Sequence, residues 1–110
     1  MLNITKHSEN GKAVMTIEGE INTLSAKELE AALEGFLDGV VDMTIDMKGV
    51  PYITSAGLRI LLEMEQTMEE QGEMRVINVC DDVMDVFDVS GFTMVLNIEQ
   101  SADAGAQGQA

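Results

Sequence analysis

Apolar and polar positions alternate with period two along residues 41–47: Val41, Met43, Ile45 and Met47 against Asp42, Thr44 and Asp46. This alternation predicts a strand with one apolar and one polar face. Such a strand belongs in a sheet that helices cover mainly on one side. Before it, residues 2–6 and 12–18 read as two short strands. Between them stand His7 and the turn Ser8-Glu9-Asn10-Gly11, whose Asn-Gly pair is a strong hairpin signal. The first two strands are therefore expected to pair antiparallel. Residues 74–79 read as a further strand, and residues 93–98 as a last one.

Three other segments switch to helical spacing. In the first, Ala26, Leu29, Leu33, Phe36 and Leu37 recur on one side. Ser25 is suited to the N-cap, Glu28 to completing a capping box, and Leu24 and Leu29 to a hydrophobic staple. The expected end is Asp38-Gly39, with Gly39 as a left-handed cap. The second helix is expected from about Ser55 to Gln71. Leu58, Leu61, Leu62, Met64 and Met68 form its broad apolar arc, and Arg59, Glu63, Gln66 and Glu70 its opposite face. Glu65 falls inside the apolar arc. Asp81 or Asp82 is expected to cap a short third helix, with Val83, Val86 and Phe87 inward and Gly91 at its end. Gly49-Val50-Pro51-Tyr52-Ile53, with the only proline, is a connecting loop. The order β-β-α-β-α-β-α-β predicts one α/β domain over residues 1–100. Its sheet should be mixed and four- to five-stranded, with helices packed mainly on one face. Residues 101–110 offer almost nothing to bury and read as a disordered tail.

Composition narrows the function. Twenty acidic residues against six basic give a formal net charge of −14. That excludes the basic face a nucleic acid requires, and equally an anionic membrane surface; it favours a partner with a basic face. Aromatic residues are scarce, so the nine methionines are expected to fill an aliphatic core. The single cysteine, Cys80, makes no internal disulfide and reads as a reduced structural residue. No apolar run approaches the length of a membrane helix, and the N-terminus lacks the shape of a signal peptide. The expected location is cytoplasmic.

The chain is poor in catalytic parts. Its one histidine, His7, stands apart from any other candidate and reads as a solvated turn residue. Neither a phosphate-cradling Walker A sequence nor Gly-x-Gly-x-x-Gly occurs, so no nucleotide or other cofactor is expected. Asp81, Asp82 and Asp85 are better explained by an acidic helix start than by a cation site, and no metal is expected. The chain does not read as an enzyme.

One segment remains: a strand ends at Asp46-Met47, a short loop follows, and a helix begins at Thr54-Ser55-Ala56-Gly57. On spacing alone Ser55 reads as the N-cap of that helix. The small residues Ala56 and Gly57 would leave the helix start open to a partner. Here the sequence resembles the STAS-domain anti-sigma factor antagonists, whose signature places a phosphorylatable serine, a small residue and a glycine before an aliphatic helix. Gly19-Glu20-Ile21-Asn22 is similar to the family's turn after the second strand. Val86-Phe87-Asp88-Val89-Ser90-Gly91-Phe92 is similar to its element after the last helix. The resemblance covers roughly residues 2–99.

It implies a binding protein that captures an anti-sigma factor, itself a serine kinase of the GHKL ATPase type, and so frees a sigma factor. The kinase would inactivate it by phosphorylating Ser55, and a PP2C-type phosphatase would reverse this. By motif position the partner-binding residues would be Asn22, Thr54, Ser55, Ala56, Gly57 and Arg59. Thr54 and Asn22 stand where many members carry Asp. Two other readings stay open: a STAS scaffold or cytoplasmic transport-system component without phosphorylation, and a small enzyme or ligand-binding domain.

Overall fold

β1 (Asn3–Glu9) pairs antiparallel with β2 (Lys12–Glu18), from Asn3 opposite Glu18 to Glu9 opposite Lys12. The two residues between them take left-handed conformations, Asn10 at φ 53° and Gly11 at φ 80°. Both central residues of a type I′ turn need this, which is why Asn-Gly stands here. His7 lies within β1 rather than in the turn, exposed and 3.6 Å from Glu9. These and the following observations come from a computed structural model that describes residues 2–100. The expected disordered tail, residues 101–110, lies outside the described residues.

β3 (Asp42–Gly49), β4 (Glu73–Val79) and β5 (Ile98–Gln100) follow in parallel, so the sheet runs β1-β2-β3-β4-β5 in space. α1 (Ser25–Leu33), α2 (Ser55–Glu69) and α3 (Asp81–Ser90) connect neighbouring parallel strands. Right-handed crossovers in a sheet that advances in one direction put all three helices on one face. Burial agrees: Met43, Ile45 and Met47 are buried on that face, and Asp42, Thr44 and Asp46 are only half-buried on the other. Six methionines (Met15, Met43, Met47, Met64, Met68 and Met74) are buried with the aliphatic residues. Their unbranched side chains fill the space that the scarce aromatics leave.

Several expectations need correction. α1 ends at Leu33, not at Gly39, because Gly35 already turns the chain left-handed at φ 74°. Phe36 and Leu37 continue the helical spacing but lie in the turns beyond it, half-buried against the core. Val41 is 53% exposed and precedes the strand, while Val40 is buried in its place. The segment expected as a last strand begins as a 3-10 turn, Phe92–Met94, and only Ile98–Gln100 pairs with the sheet. Phe92 stacks on Phe87 with ring centroids 6.4 Å apart, and Leu96 is buried. Those contacts hold the backbone out of an extended path. At the far end of α2 the Gln71 side-chain amide donates to the carbonyls of Leu37 and Val40 at 2.6 and 2.7 Å. It ties the loop before β3 to the helix.

Glu65, the acid inside the apolar arc, is half-buried. Burial raises its carboxyl above the ordinary value, and Glu69 one turn on adds to the effect. A carboxyl raised in the folded state contributes stability below its unfolded pKa and loses it as pH rises through the folded value. Glu65→Gln should therefore be more stable than the wild type at pH 7. The gap should close as the solution is acidified into the range where Glu65 is protonated. Urea midpoints measured across pH check this, and a constant gap would show that Glu65 is not the cause.

Candidate functional site

Two loops leave the sheet side by side at the ends of β2 and β3. Ile21, in the first, forms a parallel bridge with Ile53, in the second. The Ile21 N–H donates to the Tyr52 carbonyl at 3.0 Å, and the Thr54 N–H donates to the Ile21 carbonyl at 2.9 Å. Both isoleucines are fully buried. Hydrophobic burial thus holds the bridge, and the bridge brings Asn22, the next residue of the first loop, and Thr54-Ser55, the next two of the second, to one end of the sheet.

The Asn22 side chain is engaged in its own loop. Its Oδ1 accepts from the N–H groups of Leu24 and Ser25 at 3.0 and 2.9 Å. Ser25 Oγ accepts from the Asn22 N–H and donates to the Glu20 carbonyl, both at 2.8 Å. Asn22 therefore caps the turn that leads into α1, whose N-cap position is Leu24, and Ser25 is the buried first residue of the helix rather than its cap. The expected capping box and staple are absent. Glu28 instead accepts from the Leu2 N–H at 3.0 Å, and Leu24 is 78% exposed.

At α2 the N-cap position belongs to Thr54, and Ser55 is the first helical residue. Ser55 is exposed, Ala56 half-buried, and Arg59 exposed one turn later. The first intrahelical bond runs from the Leu58 N–H to the Thr54 carbonyl. The N–H groups of Ser55, Ala56 and Gly57 thus have no partner within the helix. The first turn carries no acidic residue, so the positive end of the helix dipole is uncompensated beside the Ser55 hydroxyl. That is a chemistry suited to an anion at Ser55. Thr54 Oγ1, although at the N-cap, makes no cap bond, and it is buried without a hydrogen-bond partner among the described residues.

Gly57 needs a different account from the sequence reading, which placed it open to a partner. It is buried, and a Cβ there would come within 2.5 Å of Ile21 Cγ2 and 2.7 Å of Ile53 Cγ1. Its missing side chain lets α2 lie on the Ile21–Ile53 bridge, so its smallness serves the fold. The end of α3 also departs from expectation: Val83 and Phe87 are fully buried, but Val86 is only half-buried. The N-cap of α3 is Cys80, not Asp81 or Asp82. Cys80 is half-buried and directs its Sγ to the Val50 carbonyl at 3.4 Å. Among the described residues no group of His, Cys, Asp or Glu is arranged to hold a metal ion, and no helix is long and apolar enough to cross a membrane.

Comparisons with known proteins give one consistent result. The family model for the STAS domain matches residues 2–105. BtrV of Bordetella bronchiseptica is 32% identical over 107 residues, covering 96% of this chain and 92% of its own. The anti-sigma-B factor antagonist of Bacillus subtilis is 28% identical over 103 residues, 93% of this chain and 94% of its own. Among solved structures, an anti-sigma factor antagonist from Mycobacterium paratuberculosis superposes with a TM-score of 0.83 at 19% identity. That superposition covers 98% of this chain and 93% of the other.

Two substitutions test the geometry. Gly57→Val should destabilise the domain by about 1–3 kcal/mol, the usual cost of forcing extra methyls into a packed core. A calorimetric melt that matched the wild type would show that the helix start has room after all. Thr54→Val keeps the shape and removes the unpartnered hydroxyl, whose burial costs about 1–3 kcal/mol when unpaired. It should melt at or above the wild-type temperature, and a clear loss would mean that the hydroxyl has a partner in solution.

Proposed function

The chain belongs to the STAS-domain family, and we propose that it is an anti-sigma factor antagonist whose binding is switched by phosphorylation of Ser55. The observation that carries this reading is the setting of Ser55. It is exposed at the first helical position of α2, faces free backbone N–H groups, has no acidic neighbour in its turn, and stands at one end of the sheet with the Asn22 loop. In its unmodified form the chain binds an anti-sigma factor that is a serine kinase of the GHKL ATPase type, releasing a sigma factor. The kinase phosphorylates Ser55 and a PP2C-type phosphatase restores it.

The domain tolerates the phosphate. The helix N-terminus stabilises an anion by about 0.3–1 kcal/mol at an exposed site, and Arg59 lies at the i+4 position, where side chains of one helix meet. Overall charge does not explain the switch, because adding roughly −1.5 to −2 to −14 changes the distant field little. The effect is local. The phosphate occupies the space of the partner and leaves a charge inside a desolvated contact, at a cost of about 2–5 kcal/mol. Thr54, Ala56 and Arg59 border that contact, and Asn22 shapes the adjoining loop.

The test begins with the partner kinase, recovered by pull-down from the source cells with the wild-type chain as bait. Ser55→Asp should bind it about 30- to several-thousand-fold more weakly while melting close to the wild type. Ser55→Ala should bind constitutively and also melt normally, since Ser55 does not occupy the N-cap position. Phosphate mapped by mass spectrometry should sit on Ser55. Phosphate found only on Thr54, or full kinase binding by Ser55→Asp, would overturn the switch. A chain that recovers no such kinase and carries no phosphate would favour the scaffold reading.

A further inference from the structure

Beside Ser55, between the first turn of α2 and the outer half of α3, lies an open groove of about 490 Å³. Tyr52, Leu58, Val86 and Val89 supply apolar walls, Ser55 stands on the α2 side and Asp85 on the α3 side. The fold does not require this apolar surface. α3 is held to the sheet by Val83 and Phe87, both fully buried. Val86 and Val89 lie one stripe further round, and Val89 is 90% exposed. A valine so exposed contributes almost nothing to folding by burial. Tyr52, at 45% exposure, adds a second large apolar surface at the same place.

Charge says what kind of surface would cover it. Asp81, Asp82, Asp85 and Asp88 are all exposed on α3, which carries no basic residue. The groove is therefore apolar within, with Asp85 as the acid that lines its α3 side and no basic residue on the helix behind it. Its α2 wall is different: Ile53 and Leu58 flank Ser55, and no acid lines that side. The lining comes from two helix faces and a loop whose Thr54 N–H is already bonded to Ile21. That geometry fits a helix laid between helices.

We infer that this groove receives an amphipathic helix of the anti-sigma partner, its apolar ridge on Tyr52, Leu58, Val86 and Val89 and its Lys or Arg flank on the α3 side at Asp85. The inference rests on the proposed function and adds to it the chemistry of the partner and the site of the phosphate. A phosphate on Ser55 enters the groove from the apolar α2 wall, where no basic flank is seated. It strips the ridge of its dry contact while the contact at Asp85 is unchanged.

Two synthetic amphipathic helical peptides with the same leucine ridge, one flanked by lysines and one by glutamates, serve as probes of the full-length ¹⁵N-labelled chain. The lysine peptide should shift the amide signals of Tyr52, Ser55, Leu58, Val86 and Val89, and the glutamate peptide should not. Val89→Asp should melt like the wild type and weaken both the lysine peptide and the recovered kinase by about tenfold or more, as expected for an anchor residue. Equal binding of both peptides, or shifts spread over the acidic surface away from the groove, would overturn the inference. So would signal changes at these residues on simple concentration of the chain, which would make a second copy the occupant. The same holds if deleting residues 101–110 shifts these residues, which would make the occupant the chain's own end. Failure of the two readings is separable. If Ser55→Asp loses the kinase and Val89→Asp keeps it, the switch stands and the groove is idle. If Val89→Asp loses it and Ser55→Asp keeps it, the groove stands and the switch falls.

Discussion

The parallel bridge between Ile21 and Ile53 holds two loops that no regular strand pairing reaches. Its two backbone hydrogen bonds fix Tyr52 and Thr54 against Ile21, and the buried isoleucine side chains keep water from them. The start of α2 follows from this. Thr54 is fixed in extended geometry at φ −101°, ψ 176°, so the helix can begin only at Ser55. Gly57 must then be glycine, because the helix descends directly onto the bridge. The exposure of Ser55 and the burial of Gly57 are two consequences of one contact.

Electrostatics at this edge are graded over short distances. The chain as a whole is strongly acidic, yet the first turn of α2 carries no acid and its backbone N–H groups point outward. Across the groove from it, α3 opens with Asp81 and Asp82 and continues to Asp85 and Asp88 without a base. Screening confines such differences to about 8–10 Å in physiological salt. A partner therefore meets two local surfaces rather than one average charge: an anion-receptive helix start and an acidic helix flank.

The core is adaptable where the edge is strict. Met15, Met43, Met47, Met64, Met68 and Met74 occupy buried positions that branched residues would fill less tolerantly. Between the helices and the sheet, small shifts of packing are absorbed by rotating thioether chains. At the bridge, two β-branched isoleucines face a glycine, and little can rotate. The contrast explains why substitutions near Ser55 are expected to divide sharply between those that unsettle the fold and those that touch only the partner.

Local signals in the sequence determined the order of elements. Asn10-Gly11 demanded a tight hairpin because two successive left-handed residues exclude most side chains, and Gly91 at φ 81° ended α3 for the same reason. The alternation through Met43, Ile45 and Met47 chose the buried face of β3, since a strand has only two faces. The motif around Ser55 marked the candidate site. What the sequence left open depended on residues far apart in the chain. Spacing carried α1 through Phe36 and Leu37, but the backbone turned at Gly35 and those side chains reached the core from a loop. Ser25 looked like a cap, yet it is the first helical residue, and the Asn22 side chain holds the turn before it beside the clamped Ile21. Gly57 looked open and is buried, and Val86 and Val89 looked like the inward face of α3 and the motif that follows it, yet they line a groove. Capping, close approach and exposure are settled by which surfaces meet, and only the folded chain brings those surfaces together.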